Sequence, residues 1–476
     1  MKGLGYISKA IFLVFVFATG LKAQSIEFDK QMGAENAAMV IEQFGIYQDA
    51  EKTKYVENVG YRLLENLDDK VFDYQFHIVP SIEPNAFALP GGYIYITTGL
   101  LPIIETEDEL ACILAHEIIH AHNRHAVRQI KKSVIPKLFE IPGNIIGIIN
   151  HDLGEAFNAP IQASNALLMA SYGRDFETES DVEGIKLAAM AGYDPSAMIP
   201  ILNRMSAAIE SATGQSEAKS YFNDHPYTPD RVEKIKRESG KLNWQEQATI
   251  SNNYLLEFDS LLFGNNPANG VVRGPKFLHP DLNFTITFPE GWSVNNQPSA
   301  VGAYHPDKSA LILLSLENPK LNPNQAANMF LLGLDPKFRE KLVKTEKYSV
   351  DGHEGYLVTF EEQTRNQITR AYILYLAVDG NLFRLTGIDV GSSTAELLQT
   401  AESLRRLSSD ERNSFIIHLV RVSKSSKGET IGDLSKRVDN FLNNELTAII
   451  NGKDLSSSLG ENEKIKIVKR YPYKPN

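Results

Sequence analysis

The hydrophobic positions in the first half of the chain recur mainly at the three- and four-residue spacing of amphipathic helices. Residues 29–67 predict two such helices, and residues 105–128 predict a longer one, acidic in its first turn and basic at its end. Further helices are predicted over residues 170–191, 195–211 and 229–238. Alternating runs at 76–79 and 92–97 predict short strands. This half is therefore predicted to be mainly helical with a small β-sheet.

The hydrophobic pattern changes after residue 262. Residues 263–275 are rich in glycine, asparagine and proline and predict a linker. Residues 276–408 alternate as an antiparallel sheet covered by two helices, and residues 409–476 predict a small strand, helix, helix, strand unit. The chain has 476 residues, enough for two to three domains. The predicted class is α+β, with domains at 24–262, 276–408 and 409–476.

Two apolar segments stand apart from this pattern. Lys2 and Lys9 precede an apolar run at residues 10–19, and small Ala23 follows. Residues 1–23 are therefore predicted to be a signal peptide, with an uncleaved membrane anchor as the alternative. The interrupted apolar stretch at 133–170 is interpreted as a packed helical hairpin, and the alternative is a lid or a peripheral contact with the membrane.

Charge and cysteine content exclude some functions. The formal net charge is -11, so no nucleic-acid partner is expected. The single cysteine, Cys112, excludes an intramolecular disulfide and is interpreted as a core residue of an apolar helix. Neither property indicates an oligomeric state.

The long predicted helix carries a candidate metal site. His116 and His120 are four residues apart and therefore lie on one helical face, with Glu117 beside the open metal position. Two buried histidines without partners would be costly, and metal binding removes that cost. His122 and His125 fall off the ligand face of a continuous helix and are interpreted as solvent-facing or supporting residues.

A third metal ligand is expected from the helix that follows. Glu177 and Asp181 share one face, so Glu177 can bind the metal while Asp181 accepts a hydrogen bond from the outer nitrogen of a ligand histidine. The alternative is that these acids form a solvated helix face.

Further motifs occur in an order and spacing typical of one peptidase family. They are residues 85–92 with 98–100, the histidine motif followed by Arg124 and His125, Arg174 with residues 177–181, and His225-Pro226 with Arg231. The chain thereby resembles, over roughly residues 30 to 240, the gluzincin family that includes HtpX and the CAAX prenyl endopeptidases, in its soluble periplasmic branch. Ser180 stands where that family usually has alanine, and both residues are small.

The resemblance implies a zinc-dependent mechanism. It makes Glu177 the third ligand of one catalytic zinc ion, after His116 and His120, and Asp181 the acid that orients a ligand histidine. The ion would lower the pKa of water and polarise the scissile carbonyl. Glu117 would take the proton from that water and return it to the departing amine.

The resemblance also implies substrate-binding and regulatory residues. The strand that contains Tyr93, Ile94 and Tyr95 is similar to the family's edge strand, which would hold an extended substrate by backbone hydrogen bonds. Two roles are open for Arg174, holding the acidic helix or stabilising the oxyanion. His225 would occupy the open metal position and make the activity latent, and the alternative is a loop histidine.

Function follows as an expectation from these residues and the resemblance. We expect a periplasmic zinc metalloendopeptidase that cleaves envelope proteins in quality control, with protein or peptide substrates as partners. The middle domain suggests a PsbP- or Mog-like fold, and residues 409–476 suggest a LysM-like module that binds peptidoglycan. The alternatives are a chaperone or scaffold for the outer-membrane assembly machinery with little proteolysis, or a peptidoglycan-binding protein.

Overall fold

The computed structural model describes residues 26–130, 172–213, 225–226, 229–246, 253–307, 309–363, 368–390 and 393–475. The predicted signal peptide at 1–23 and the apolar stretch at 133–170 lie outside these residues. The α+β class is confirmed, because a mainly helical first part is followed by antiparallel sheets.

The first part consists of helices around one small sheet. Its helices are α1 (residues 26–44), α2 (Ala50–Glu65), α3 (Glu107–His122), α4 (His125–Ile130), α5 (Arg174–Met190), α6 (Met198–Thr213), α7 (Pro229–Ser239) and α8 (Tyr254–Glu257). Its strands are β1 (Gln75–Val79), β2 (Ala86–Leu89) and β3 (Tyr93–Thr97). Helix α3 packs against α2, α5 and the sheet, so it lies at the centre of this part.

The order of the small sheet is β1-β3-β2. Strand β3 pairs in parallel with β1 and antiparallel with β2, so both of its backbone edges are used. The prediction that Tyr93 to Thr97 form the edge strand is therefore wrong. The outer strand next to α3 is β2, which has one strand neighbour among the described residues.

Local sequence explains where α3 begins and ends. The Thr106 side chain accepts a hydrogen bond from Glu109 N, and Glu107, Asp108 and Glu109 place negative charge in the first turn. Apolar side chains surround the middle of α3, which is buried. The predicted continuous helix to residue 128 is wrong, because Arg124 adopts a φ of 58° and starts a new direction at α4.

The middle part is mainly antiparallel sheet. Its strands are β4 (Val271–Arg273), β5 (Lys276–His279), β6 (Phe284–Thr287), β7 (Ser293–Asn296), β8 (Ala300–Tyr304), β9 (Ala310–Glu317), β10 (Leu342–Val350), β11 (His353–Gln363), β12 (Ile368–Val378), β13 (Asn381–Asp389) and β14 (Arg405–Arg406). They form a seven-stranded sheet, β10-β11-β12-β13-β9-β8-β7, and a four-stranded sheet, β14-β6-β5-β4. Helices α9 (Pro323–Gly333), α10 (Pro336–Arg339) and α11 (Thr394–Glu402) accompany them. Strand β4 lies entirely within residues 263–275, the predicted linker.

The C-terminal part is a hairpin with short helices. Its elements are α12 (Ser409–Asn413), β15 (Ile416–Lys424), α13 (Ile431–Arg437), α14 (Asn444–Ile450) and β16 (Lys464–Pro472), and β15 pairs antiparallel with β16. This part has a small core of its own around Leu434 and Ile465. It also contributes Val420, Leu442 and Val468 to the large core that contains α3.

Within the described ranges, no helix is both long and apolar enough to cross a membrane.

Candidate metal centre

Helix α3 presents two histidines to one buried point. His116 and His120 are each 1% exposed, and their Nε2 atoms lie 3.0 Å apart. The four-residue spacing produces this arrangement, because residues i and i+4 lie one above the other on a helix. The helix geometry therefore places both side chains as the sequence predicts.

Two further side chains complete the cluster from other elements. Glu177, in the first turn of α5, places Oε1 3.3 Å from His120 Nε2 and Oε2 3.7 Å from His116 Nε2. His225 places Nδ1 3.2 Å from His116 Nε2 and 3.0 Å from Glu177 Oε1. All four residues are buried, and one ligand atom from each lies within 4.8 Å of the others.

The spacing and chemistry of these donors fit a tetrahedral zinc ion. Zinc bonds to nitrogen and oxygen are about 2.0–2.2 Å long, so neighbouring donors of a tetrahedral site lie roughly 3.3 Å apart. The observed separations of 3.0, 3.2 and 3.3 Å match that geometry. Three imidazoles and one carboxylate also form a donor set that suits zinc. The four residues therefore could hold one ion.

The ligand histidines have orienting partners behind them. His116 Nδ1 lies 3.1 Å from Asp181 Oδ1, which is the relationship expected from the shared face of Glu177 and Asp181. His120 Nδ1 lies 3.0 Å from His125 Nδ1, and the ring of Tyr172 stacks on His120 at 4.0 Å between centroids. Such partners fix the tautomer and the ring orientation of a metal-binding histidine.

Arg231 connects the acidic residues of the cluster. Its Nη1 lies 3.0 Å from Glu177 Oε2, and its Nε and Nη2 each lie 2.8 Å from an oxygen of Asp181. The sequence analysis included Arg231 in a motif but assigned it no role. It named Arg174 as the residue that could hold the acidic helix. Arg174 has an exposed side chain at the start of α5, and its predicted roles stay predictions.

His125 has the supporting position that was one of the two interpretations given for it, although a break in the helix brings it there. The turn at Arg124 brings His125 back towards His120, and His125 is fully buried beside Ser180. His125 is therefore a supporting residue and not a solvent-facing one. His122 is half-buried and lies 3.2 Å from the Tyr74 hydroxyl, away from the cluster.

The electrostatics of the cluster favour metal binding. Burial lowers the pKa of His116 and holds that of His120 well below the usual value, so both rings are neutral at pH 7. Burial alone would raise the pKa of Glu177, but His225, His120 and Arg231 together hold it well below its usual range. Neutral imidazole and ionised carboxylate are the forms that bind metal.

Glu117 lies beside this donor set. It is completely buried on α3, and its Oε1 lies 3.5 Å from His225 Nε2. His225 therefore faces the ligand atoms with Nδ1 and Glu117 with Nε2. A carboxylate next to a fourth donor position is placed where a general base would act on water.

Comparison with known proteins assigns the segment that contains this cluster. Residues 50–239 match the sequence profile of Peptidase family M48. The chain contains a domain of Peptidase family M48. The M48 domain includes all four clustered residues and Glu117, and it confirms the gluzincin resemblance.

Relatives of the M48 domain include mitochondrial and bacterial proteases. The chain is 30% identical over 218 residues to mitochondrial metalloendopeptidase OMA1 of Schizosaccharomyces pombe, covering 44% of this chain and 61% of the relative. It is 30% identical to the putative beta-barrel assembly-enhancing protease of Vibrio cholerae, with 39% of each chain covered. It is 23% identical to the beta-barrel assembly-enhancing protease of Escherichia coli, covering 52% of this chain and 51% of the relative. The chain therefore matches only part of each relative.

The solution structure of cyanobacterial PsbP from Synechocystis covers 29% of this chain and 95% of its own, with a TM-score of 0.23 and 10% identity. A TM-score this low supports no fold assignment. The PsbP- or Mog-like fold of residues 276–408 and the LysM-like fold of residues 409–476 stay predictions.

Proposed function

We propose that this chain is a zinc-dependent metalloendopeptidase, with His116, His120 and Glu177 as ligands and Glu117 as the general base. The observation that carries the proposal is the buried cluster of three nitrogens and one carboxylate beside Glu117, inside a domain of a peptidase family. A structural zinc site is commonly closed by four protein ligands and has no adjacent base. The position of Glu117 therefore favours catalysis over a purely structural role.

The mechanism assigns a separate task to each residue. A bound zinc ion would supply Lewis acidity, which lowers the pKa of water and polarises the scissile carbonyl. Glu117 would accept the proton from the attacking water and deliver it to the leaving amine. Asp181 and His125 would hold the rings of His116 and His120 in position throughout.

The substrate would be an extended peptide held by the outer strand of the small sheet. Strand β2 (Ala86–Leu89) lies at the sheet edge and contacts α3, whereas β3 is paired on both sides. Addition of a strand to an open edge supplies backbone hydrogen bonds that do not depend on substrate sequence. The proposed substrate-binding strand is therefore β2, and not the strand that contains Tyr93, Ile94 and Tyr95.

His225 would keep the resting enzyme latent. Its Nδ1 lies at the fourth donor position, and its Nε2 faces Glu117 at 3.5 Å. In this arrangement, water and substrate carbonyl would have to displace His225 before reaction. The same closed set of four donors favours the second candidate function, a scaffold that retains zinc and cleaves rarely.

The proposed setting is the periplasm, with misfolded or stalled envelope proteins as substrates. Two relatives are named beta-barrel assembly-enhancing proteases, which supports a role near outer-membrane assembly. Export would depend on the predicted signal peptide at residues 1–23. Peptidoglycan remains a proposed ligand of residues 409–476.

The experiment compares purified residues 24–476 with Glu117→Gln and with Glu233→Gln, an exposed carboxylate on α7. Zinc content is measured by atomic absorption, and activity is measured by casein cleavage. We expect one zinc ion in every protein and a loss of at least about 100-fold in cleavage for Glu117→Gln only. A wild-type protein without zinc would overturn the metallopeptidase proposal. Equal cleavage by Glu117→Gln and wild type would overturn the role of Glu117.

A further inference from the structure

A polar cleft lies between the M48 domain and the middle part, away from the metal cluster. It has a volume of about 510 Å³, within the usual range for ligand sites. One wall comes from residues 80–83 and the end of α1, and the other from residues 265–272 and 295–298. A second, inner cavity of about 260 Å³ shares Asn269, Asn296, Gln297 and Pro298 with the cleft, so the two lie side by side.

The lining of the cleft is dominated by uncharged amide side chains. Those on the wall formed by the middle part are Asn265, Asn266, Asn269, Asn295, Asn296 and Gln297. Glu83 is the single carboxylate, and neither lysine nor arginine occurs among the described residues that line the two cavities. Apart from the exposed Glu83, the described lining of the cleft therefore offers no carboxylate, lysine or arginine that could offset the charge of a strongly charged ligand.

Gln297 is the residue that points to a ligand. It is 6% exposed, lines both cavities, and its Oε1 accepts no hydrogen bond from the described part of the chain. Its backbone is fixed by a hydrogen bond of 2.9 Å from Gln297 N to Ala300 O. A buried acceptor without a donor costs about 1–3 kcal/mol, and a ligand that donates to it would remove this cost.

Neighbouring amides are held in place before any ligand arrives. Asn296 Nδ2 donates to Asn269 O at 2.7 Å, and Asn266 Oδ1 accepts from Ala268 N at 3.1 Å. The inner cavity adds an aromatic wall that includes Phe277 and Phe284. The cleft therefore combines amides held by hydrogen bonds with an inner lining that is partly apolar.

From these features we propose that the cleft binds a neutral oligosaccharide, with Gln297 Oε1 accepting a hydrogen bond from a sugar hydroxyl or acetamido group. A primary amide offers a donor and an acceptor side by side, which matches adjacent sugar hydroxyls. The partly apolar lining of the inner cavity suits the C–H groups of a sugar ring. An extended peptide is the competing ligand, because β7 is the outermost strand at one end of the seven-stranded sheet described. Strand addition uses backbone hydrogen bonds, however, and would not require the side-chain amides that line the cleft.

The test measures binding of tetrasaccharides to residues 24–476 by calorimetry and saturation-transfer NMR. The probes are N-acetylchitotetraose, cellotetraose and maltotetraose, and an uncharged blocked tetrapeptide is the competitor. The variants are Gln297→Met, which removes the buried acceptor, and Asn328→Ala, which removes an exposed amide of α9 outside the cleft. We expect at least one tetrasaccharide to bind, and Gln297→Met alone to weaken it tenfold or more.

Two controls separate this result from misfolding and from the metal centre. Gln297→Met should unfold at the wild-type temperature or above it, because the unpaired acceptor is gone. Glu117→Gln should bind the sugar as the wild type does. The proposal is overturned if none of the three tetrasaccharides binds, if Gln297→Met binds as tightly as wild type, or if the tetrapeptide displaces the sugar from the cleft.

Discussion

Arg231 donates two parallel hydrogen bonds to Asp181, from Nε and Nη2, each 2.8 Å long. Both residues are buried, and the same guanidinium donates to the backbone carbonyls of His225 and Pro226 at 3.0 Å. Burial would raise the pKa of Asp181, but Arg231 and His116 hold it below the usual value. One side chain on α7 therefore fixes both the acid that orients His116 and the backbone that carries His225.

Replacing Arg231 with methionine should weaken the metal site and the fold together. Loss of a partner that orients a ligand typically costs 10–100-fold in metal affinity. Removing one member of a buried ion pair costs about 3–5 kcal/mol, because the other charge remains buried. Zinc affinity is measured by competition with a chromogenic chelator, and stability by urea unfolding. Arg237→Met, on an exposed site of the same helix, is the control. Wild-type zinc affinity in Arg231→Met would contradict the orienting role.

Replacing His225 with alanine tests the proposed latency. If His225 occupies the fourth donor position in most molecules, the active fraction is small, and removal should raise casein cleavage by at least about fivefold. Zinc should bind more weakly, because one donor is lost. His418→Ala, in the C-terminal hairpin, should change neither property. The scaffold function gains support if His225→Ala retains zinc and is as inactive as Glu117→Gln.

The sequence predicted the parts of the site that depend on local spacing. His116 with His120, and Glu177 with Asp181, follow from positions four residues apart on a helix, and these pairs lie together in the structure. The fold class and five of the eleven strands described in the middle part follow from hydrophobic period. Local patterns could identify these features because neighbours along one element determine them.

Contacts between distant segments were not predictable in the same way. Arg231 and Asp181 are 50 residues apart in the sequence, and no periodic pattern of hydrophobic residues within one element indicates that they pair. The break at Arg124 was missed because arginine is normally a good helix former, and this break brings His125 to His120. The order of the small sheet was missed because a strand's two neighbours depend on tertiary topology, not on its own alternation.

Deleting residues 409–476 should destabilise the M48 domain. Val420, Leu442 and Val468 are buried in the same core as α3, and each contributes roughly 1.5–3 kcal/mol by burial. We expect residues 24–408 to unfold at a clearly lower temperature than residues 24–476, measured by circular dichroism. A deletion of residues 474–476 only, beyond β16, is the control. Equal unfolding temperatures for 24–408 and 24–476 would mean that the C-terminal part is an independent domain.

Lys466 should make this interface dependent on pH. Its Nζ donates to Ile104 O at 2.8 Å and lies 3.5 Å from Glu105 Oε1, just before α3. Burial lowers the pKa of Lys466 from 10.5 to about 8, although Glu105 opposes this effect. Between pH 8 and about 10, the unfolded chain therefore holds a proton that the folded chain has lost. Stability then rises with pH, because deprotonation removes the penalty of a buried ammonium group.

The measurable quantity is the difference in unfolding free energy between wild type and Lys466→Met. Methionine removes the titration and keeps a long apolar side chain, and all other titrating groups contribute equally to both proteins. From pH 8 to pH 9, the wild type should gain about 1 kcal/mol relative to Lys466→Met, since one pKa unit corresponds to about 1.4 kcal/mol. Urea unfolding at the two pH values gives this difference. A constant or falling difference would mean that Lys466 keeps an ordinary pKa, and that its contacts with Ile104 and Glu105 fully compensate its burial.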